Sequence, residues 1–393
     1  MSSLTRFLLL YAAMYAAFGV ASPFLPAFLS SRGLAPEELG LVLGAGTAIR
    51  LVTAPLAGRV GDLIQALRIV LIVCLGLAAM ATLGYLTAHG FLILLGVSLL
   101  HAASLAPITI LADALTLGAA SPPPSSNQRG FEYGWVRGTG SGAFIIATLL
   151  SGQTVAAFGL DQIIRLQFLL LATAALAALA VPELLHARLS NALRAPGRGV
   201  VILLRLPAFR NLVIVAALIL GSHAMHDAFA VIRWTAAGIG PATASLLWSE
   251  SVAAEVIVFF IVGPPLVTRL SPARTLAIAA AGGMLRWSVM AQTTHVIALT
   301  LMQPLHGITF ALLHLACMRL IRRIVPAGLE GTAQAIYGTV GIGGTTALLT
   351  FASGALYSRL GAQGFWFMAG LCAVALPLTW KLRETPTSSE RPH

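Results

Sequence analysis

Eleven ionisable residues stand inside long apolar runs of this chain, where water is scarce. They are Arg50, Arg137 and Arg286, the acids Asp113, Asp227, Glu250 and Glu255, and the histidines His223, His226, His306 and His314. A charge at the centre of a bilayer costs about 2.5–3.5 kcal/mol on insertion scales, so each needs a partner or an aqueous cavity. A buried ion pair that only fixes helix packing would explain any one of them, but not the set. Asp113, in Ala112-Asp113-Ala114, and Arg137, between Val136 and Gly138, are the first candidate pair. A guanidinium can fork onto a carboxylate, that of Asp113 or that of an anionic solute, and exchange between the two would couple occupancy to conformation. His223, His226 and Asp227 share a helical face at i, i+3 and i+4. That spacing can ligate a metal, but no second cluster completes a site, and protonation switching or hydrogen bonding to a solute fits better. Gln303, His306, Phe310 and His314 follow steps of three and four and form one polar and aromatic stripe. Glu250 and Glu255 lie about 140° apart around a helix. Glu255, deeper among Val252–Phe260, is the pore candidate, and Glu250 belongs nearer the outer rim.

The elements that must position these groups follow from composition. Of 393 residues, 58% are hydrophobic and only 9% charged, against about 25% charged in ordinary soluble domains. Runs such as Phe7–Leu29, Ile69–Leu86 and Ala277–Ala291 are apolar enough to enter about 30 Å of hydrocarbon as helices. The net charge of +11 does not mark a nucleic-acid binder, because the basic residues alternate by loop, 17 on one set of loops and ends against 4 on the other. Arg6, Arg59, Arg68, Arg129, Arg188, Arg194, Arg383 and Arg391 belong to the rich set; Arg32, Arg165, Arg233 and Arg359 make up the poor one. This is the positive-inside asymmetry, which puts both termini in the cytoplasm and requires an even number of spans. Cys74, Cys317 and Cys372 lie in apolar runs without motif spacing and read as core residues, with no disulfide framework and no metal cluster. The first apolar run is too long for a cleavable signal and reads as a retained helix.

About twelve helices are expected, over 5–29, 37–57, 67–88, 91–117, 132–157, 162–181, 207–234, 242–268, 273–292, 295–318, 332–356 and 362–381. The longest polar stretch, Glu183–Arg205, falls at the midpoint. The chain therefore divides into a six-helix bundle over 1–182, a cytoplasmic linker over 183–206, a second bundle over 207–383 and a cytoplasmic tail over 384–393. The halves repeat. Tyr133-Gly134-x-Val136 with Gly140 recurs as Tyr337-Gly338-x-Val340 with Gly344, Ser151-Gly152 with Gly159 as Ser353-Gly354 with Gly361, and Pro55-Leu56-x-x-Arg59 as Pro265-Leu266-x-x-Arg269. Two parallel six-helix repeats around a central substrate site describe an all-α membrane protein of major-facilitator architecture. Gly138, Gly140 and Gly142, and Gly341, Gly343 and Gly344, allow close helix packing.

A family resemblance runs over nearly the whole length. Its marks are Tyr11, Phe18-Gly19, Pro23-Phe24-Leu25-Pro26 and Ser31-Arg32-Gly33-Leu34, then Leu247-Trp248, Glu255-Val256 and Leu285-Arg286-Trp287. The most specific is Gln303-x-Leu305-His306-x-x-Thr309-Phe310-x-x-x-His314. With these the chain resembles the phenylpropionate-permease branch of the major facilitator superfamily, which is related to lactose permease. The superfamily's gating-loop signature between helices 2 and 3 survives in part. Gly58 and Asp62 match, Leu63, Gln65 and Ala66 depart from it, and Arg68 is placed to supply the missing charge. Set against lactose permease, the resemblance puts Asp113 at the sugar-binding glutamate and Arg137 at the sugar-binding arginine. Arg286 and His306 match its proton and sugar machinery. Thr309 replaces the proton-carrying glutamate, Gln303 the neighbouring lysine, and His223 and His226 stand where that family has aspartates. Proton coupling must then use another group, from among Asp113, Glu255, Asp227, His306 and His314.

The resemblance and the intramembrane charges together imply a secondary transporter of the bacterial inner membrane. The expected solute is a small organic molecule, an aromatic or other carboxylate, moved by alternating access with proton symport. Substrate contacts are expected from Asp113, Arg137, Arg286, His306, Gln303, His223 and His226. Proton-antiport efflux of drugs or metabolites and lactose-permease-like sugar uptake are the alternatives, and a non-transporting sensor or assembly factor is the reading from another class. No nucleotide loop, nucleophile elbow or completed metal site points to an enzyme. The expected partners are the solute, protons and the bilayer, with no cofactor and no nucleic acid, in a monomer.

Overall fold

In lipid every backbone N–H and C=O must be satisfied within the chain, which for an apolar sequence of this kind means helices. The computed structural model describes residues 2–121, 130–183 and 196–382, and among the described residues it contains helices and no strand. Arg129, Arg188, Arg194, Arg383 and Arg391, the first half of the expected linker after Glu183 and the expected tail lie outside the described residues.

Among the described residues, ten helical stretches are long and apolar enough to cross a membrane. We number the helices α1 (Ser3–Ala21), α2 (Pro36–Ile64), α3 (Leu67–Thr87), α4 (Phe91–Ala120), α5 (Tyr133–Phe158), α6 (Asp161–Ala180), α7 (Pro207–Ala236) and α8 (Pro241–Arg269). Then follow α9 (Pro272–Gln292), α10 (Val296–Ile324), α11 (Glu330–Ile336, Tyr337–Gly344 and Thr345–Leu360) and α12 (Phe365–Trp380). The last apolar stretch, Glu330–Trp380, holds both α11 and α12, while α9, with Arg274 and Arg286, is long enough but less apolar. Together these account for the twelve expected spans. A further short helix, Pro196–Arg205, occupies the end of the expected linker.

The chain forms two compact units, Met1–Leu189 with Gly238–Leu246, and Ser190–Ala237 with Leu247–His393. In the first, α1 packs on α5 and α6, α3 on α4 and α6, and α2 on α4. In the second, α7 packs on α11 and α12, α9 on α10 and α12, and α8 on α10. These are the same five pairings six helices later, so the weak motif repeats of the sequence reflect one bundle built twice. The repeat extends to a defect. The expected single run 5–29 is broken after Ala21, where Ser22-Pro23-Phe24 separates α1 from a short helix over Leu25–Ser31. The expected run 207–234 is broken at Ser222-His223 in the equivalent place. Pro23 has no backbone N–H to donate, which accounts for the first break. At the second, Ser222 spends its hydroxyl on the Ile219 carbonyl at 2.6 Å.

Among the described residues the helices of the two units also differ in their turns. Three helices of the second contain π-helical turns, Val258–Val262 in α8, Gly307–Leu312 in α10 and Tyr337–Gly344 in α11. Such wide turns leave room where two backbones meet. Gly307 is pressed onto α8, and a methyl group added to it would lie 2.6 Å from the Ala254 carbonyl oxygen. Glycine is therefore required there for close approach. Gly307→Ala should lower the thermal unfolding midpoint in detergent, since overpacking costs about 1–3 kcal/mol. Gly76→Ala, where a methyl group meets nothing within 4 Å, should not.

Candidate functional site

In the first unit, two helices each present a pair of polar side chains one turn apart: Tyr11 and Tyr15 on α1, Tyr133 and Arg137 on α5. Asp113 of α4 is their common partner. Its Oδ1 accepts from the Tyr11 hydroxyl at 2.5 Å and from the Tyr133 hydroxyl at 2.8 Å. Arg137 Nη1 stands 3.7 Å from the same oxygen, within ion-pair range but beyond a hydrogen bond. Its own hydrogen bond goes to the Tyr15 hydroxyl, and the Tyr15 ring lies 5.4 Å from its guanidinium carbon. Thr116, one turn beyond Asp113, donates to the Tyr11 hydroxyl at 3.2 Å. Asp113 and Arg137 both retain accessible surface. This is a loosely paired arginine and carboxylate with aromatic walls, a setting into which a second carboxylate can enter.

The second unit holds a denser cluster around Arg286 of α9, whose side chain is fully buried. Its Nη2 donates to Gln303 Oε1 at 2.8 Å and reaches His226 Nε2 at 3.4 Å, while Nη1 reaches His306 Nδ1 at 3.2 Å. Arginine has donors and no acceptor, so each imidazole must turn a lone pair toward it. That fixes both tautomers. His306 then carries its proton on Nε2, which lies 3.3 Å from Glu255 Oε2 on α8. His226 carries its proton on Nδ1, 3.1 Å from Asp227 Oδ1. The result is a row running Asp227, His226, Arg286, His306, Glu255. The two imidazole lone pairs a metal would need are already turned onto the guanidinium.

Rings fasten the row in place. Arg286 lies 4.6 Å over the Trp287 ring, Trp248 stacks on His226 at 5.1 Å, and Phe310 stacks on His306 at 5.5 Å. Trp287 donates to Ser222 Oγ at 2.8 Å, the residue at which α7 breaks. His223 packs against Trp287 and His306, and its Nε2 lies 3.0 Å from Thr309 Oγ1. Gln303 Nε2 and Arg286 Nε are buried without a partner. The tight approach at Gly307 brings α10 against α8 and so sets His306 beside Glu255.

The structure thus brings Asp113 and Arg137 together in one unit, and Arg286, His306, Gln303, His223, His226, Asp227 and Glu255 in the other. His314 makes no hydrogen bond to these groups. It lies 3.2 Å from the Tyr337 hydroxyl of α11, because the π turn Gly307–Leu312 ends the regular spacing on which the stripe argument rests. In the expected gating loop, Gly58 and Asp62 are still helical and only Gln65 and Ala66 separate α2 from α3. Arg68 pairs with Glu183 at 3.3 Å and donates to the Val181 carbonyl at 3.0 Å, beyond the end of α6. Tyr11, Tyr15, Tyr133, Trp248 and Trp287 do the most work among the residues that sequence reasoning left out of the site. The i, i+4 pairing of Tyr11 with Tyr15, and of Tyr133 with Arg137, was the available signal.

Comparison with known proteins places this geometry. The profile of the MFS_1 like family matches residues 4–368. The chain is 35% identical over 384 residues to the "Probable 3-phenylpropionic acid transporter" of Escherichia coli (strain K12), covering 95% of this chain and 96% of that one. It is 24% identical over 376 residues to maltose permease of Geobacillus stearothermophilus, covering 94% and 92%. Among solved structures, nucleoside transporter NupG matches with a TM-score of 0.82 at 16% identity, over 98% of this chain and 100% of that one. A bacterial homologue of the human lysosomal transporter Spinster matches with a TM-score of 0.71 at 14% identity, over 98% of each chain. Those two likenesses carry the fold alone.

Arg286→Lys keeps the charge but loses the planar fork that serves His226, His306 and Gln303 together. Hydrogen bonds to charged groups are worth about 1.5–3 kcal/mol each, so this variant should melt well below the parent in a detergent thermal-shift assay. Arg137→Lys, at a partly exposed pair, should melt close to it.

Proposed function

Because this chain belongs to the MFS_1 like family and is a multi-pass membrane transporter of small solutes, not an enzyme, we propose that its solute is a small aromatic carboxylate taken up together with a proton. Transport is by alternating access of the halves 1–182 and 207–383 about the 183–206 linker, in a bacterial inner membrane with both termini cytoplasmic, and the monomer is the working unit. The relative at 35% identity, whose name gives 3-phenylpropionic acid as its cargo, suggests the aromatic acid.

The observation that carries the proposal is the charge count in the row around Arg286. One guanidinium faces two carboxylates, each at one remove through a neutral imidazole. With both acids ionised the row is one charge negative, and one proton makes it neutral. A solute carboxylate adds a further negative charge and so favours binding of that proton, which is the coupling a symporter requires. Glu255 is the better carrier. It is 30% exposed against 55% for Asp227, so water screens it less. Thr309, which the resemblance sets at the position of lactose permease's proton-carrying glutamate, hydrogen-bonds His223 and the carbonyls of Leu305 and His306 and has no carboxyl to carry a proton. Arg137, only loosely held by Asp113, is the group that takes the solute carboxylate, with Tyr15 and Phe18 as the aromatic wall.

Proteoliposomes with an imposed pH gradient test this. Uptake of labelled 3-phenylpropionate should be driven by an acidic exterior and collapse with a protonophore. Glu255→Gln should retain counterflow exchange of the acid and lose gradient-driven accumulation. Arg137→Lys should weaken both by about tenfold or more, given about 1.5–3 kcal/mol for a hydrogen bond to a charged group. Accumulation of a sugar in place of any organic acid, or gradient-driven export, would replace this reading.

A further inference from the structure

Of the three arginines expected inside spans, Arg50 is the one that the two clusters above do not use. It is the middle residue of α2, with fourteen residues on either side within Pro36–Ile64. No hydrogen bond and no ion pair holds its guanidinium among the described residues, yet the side chain keeps accessible surface. Gly46, one turn earlier on the same face, packs against Ala102 of α4, where an added methyl group would lie 3.4 Å from the Ala102 Cβ. That contact turns the Arg50 face of α2 toward α4. Next to Ala102 is His101, which is 3% exposed and whose Nε2 is buried without a partner. His101 Nδ1 lies 3.5 Å from the hydroxyl of Tyr85 on α3, which donates to Ser98 Oγ at 3.1 Å. Tyr85 and His101 are both in electrostatic reach of Arg50.

A guanidinium at mid-span without a counter-charge is costly. An unpartnered buried imidazole nitrogen beside it adds to that cost. One ligand chemistry relieves the first and gives the second a polar neighbour: a small anion with a flat pair of oxygens, for which arginine's fork is built. We infer that Arg50, backed by His101 and Tyr85, is a second carboxylate-binding position in the first unit. It is separate from Arg137, because His101 and Asp113 lie twelve residues apart on α4, about 18 Å of helix rise, farther than a small organic acid reaches. The solute's carboxylate is handed between two arginines at different depths in the same unit. The inference rests on the reading of the solute as an organic acid.

Chemical protection of the native protein tests it. Full-length protein in liposomes is treated with phenylglyoxal, and modification of Arg50 is followed by peptide mass spectrometry with 3-phenylpropionate, or with 3-phenylpropionamide as its uncharged twin. At about ten times its dissociation constant, the acid should slow Arg50 labelling about tenfold by occupancy, and the amide should not. Protection at Arg50 should persist in Arg137→Gln, which removes the other guanidinium. An Arg50 that resists labelling altogether, or reacts at one rate with and without the acid, overturns the inference even where the parent protein transports the acid. Protection without pH-driven uptake leaves the anion position standing and removes the symport reading instead.

Discussion

The second unit depends on one constraint, that a fully buried guanidinium must be given acceptors. Arg286 finds three, the Gln303 amide oxygen and a lone pair from each of His226 and His306. Everything around it follows from that. Each imidazole, having turned one nitrogen inward, presents its proton outward, and a carboxylate stands at each outward end. The aromatic rings that stack on the histidines and under the arginine leave these groups little freedom to rotate. Gly307 lets α10 lie on α8 closely enough for His306 to meet Glu255. Arg286 thus sets the protonation chemistry of groups contributed by three other helices, α7, α8 and α10.

The first unit repeats the helix pairings but not this chemistry. Its polar centre is a carboxylate fed by tyrosine hydroxyls, with an arginine close by that is not hydrogen-bonded to it. A tyrosine hydroxyl can follow a carboxylate or accept from an arginine without taking on charge at ordinary pH. The duplicated bundle therefore carries two unlike polar centres, a carboxylate and arginine among tyrosines on one copy and a row of histidines about an arginine on the other, which is what the proposed function builds on.

The helical fold was legible in the apolar runs because each is as long as a bilayer is thick, and the repeat in part because Gly159 and Gly361 end corresponding helices α5 and α11 with positive φ. The broken α1 was less so. Pro23 lies inside a run whose hydropathy gives no hint of a gap. In the site, Arg286, His306 and Gln303 stood out because a charge and polar groups on neighbouring spans had to find one another. His314, at the far end of the stripe, hydrogen-bonds Tyr337 across a π turn that spacing alone does not show. Nothing in Gly307-Ile308-Thr309-Phe310 distinguishes a π turn from an α turn, since the widening arises from the approach of α8. The tyrosines were hidden for another reason: a phenol is at home in an apolar run, so its hydrogen bond leaves no trace in composition. The pairing of Arg68 with Glu183, beyond the end of α6, was not legible because the two lie far apart in sequence.

The central claim is that Arg286 holds two neutral histidines in opposite tautomers, each presenting a proton to a carboxylate. Nitrogen-15 NMR of histidine-labelled protein in nanodiscs at neutral pH reads this directly through the imidazole nitrogen shifts, with His226→Gln and His306→Gln to assign the signals. His306 should be protonated on Nε2 alone and His226 on Nδ1 alone. An imidazolium at either residue, or the reverse tautomer at either, would contradict it.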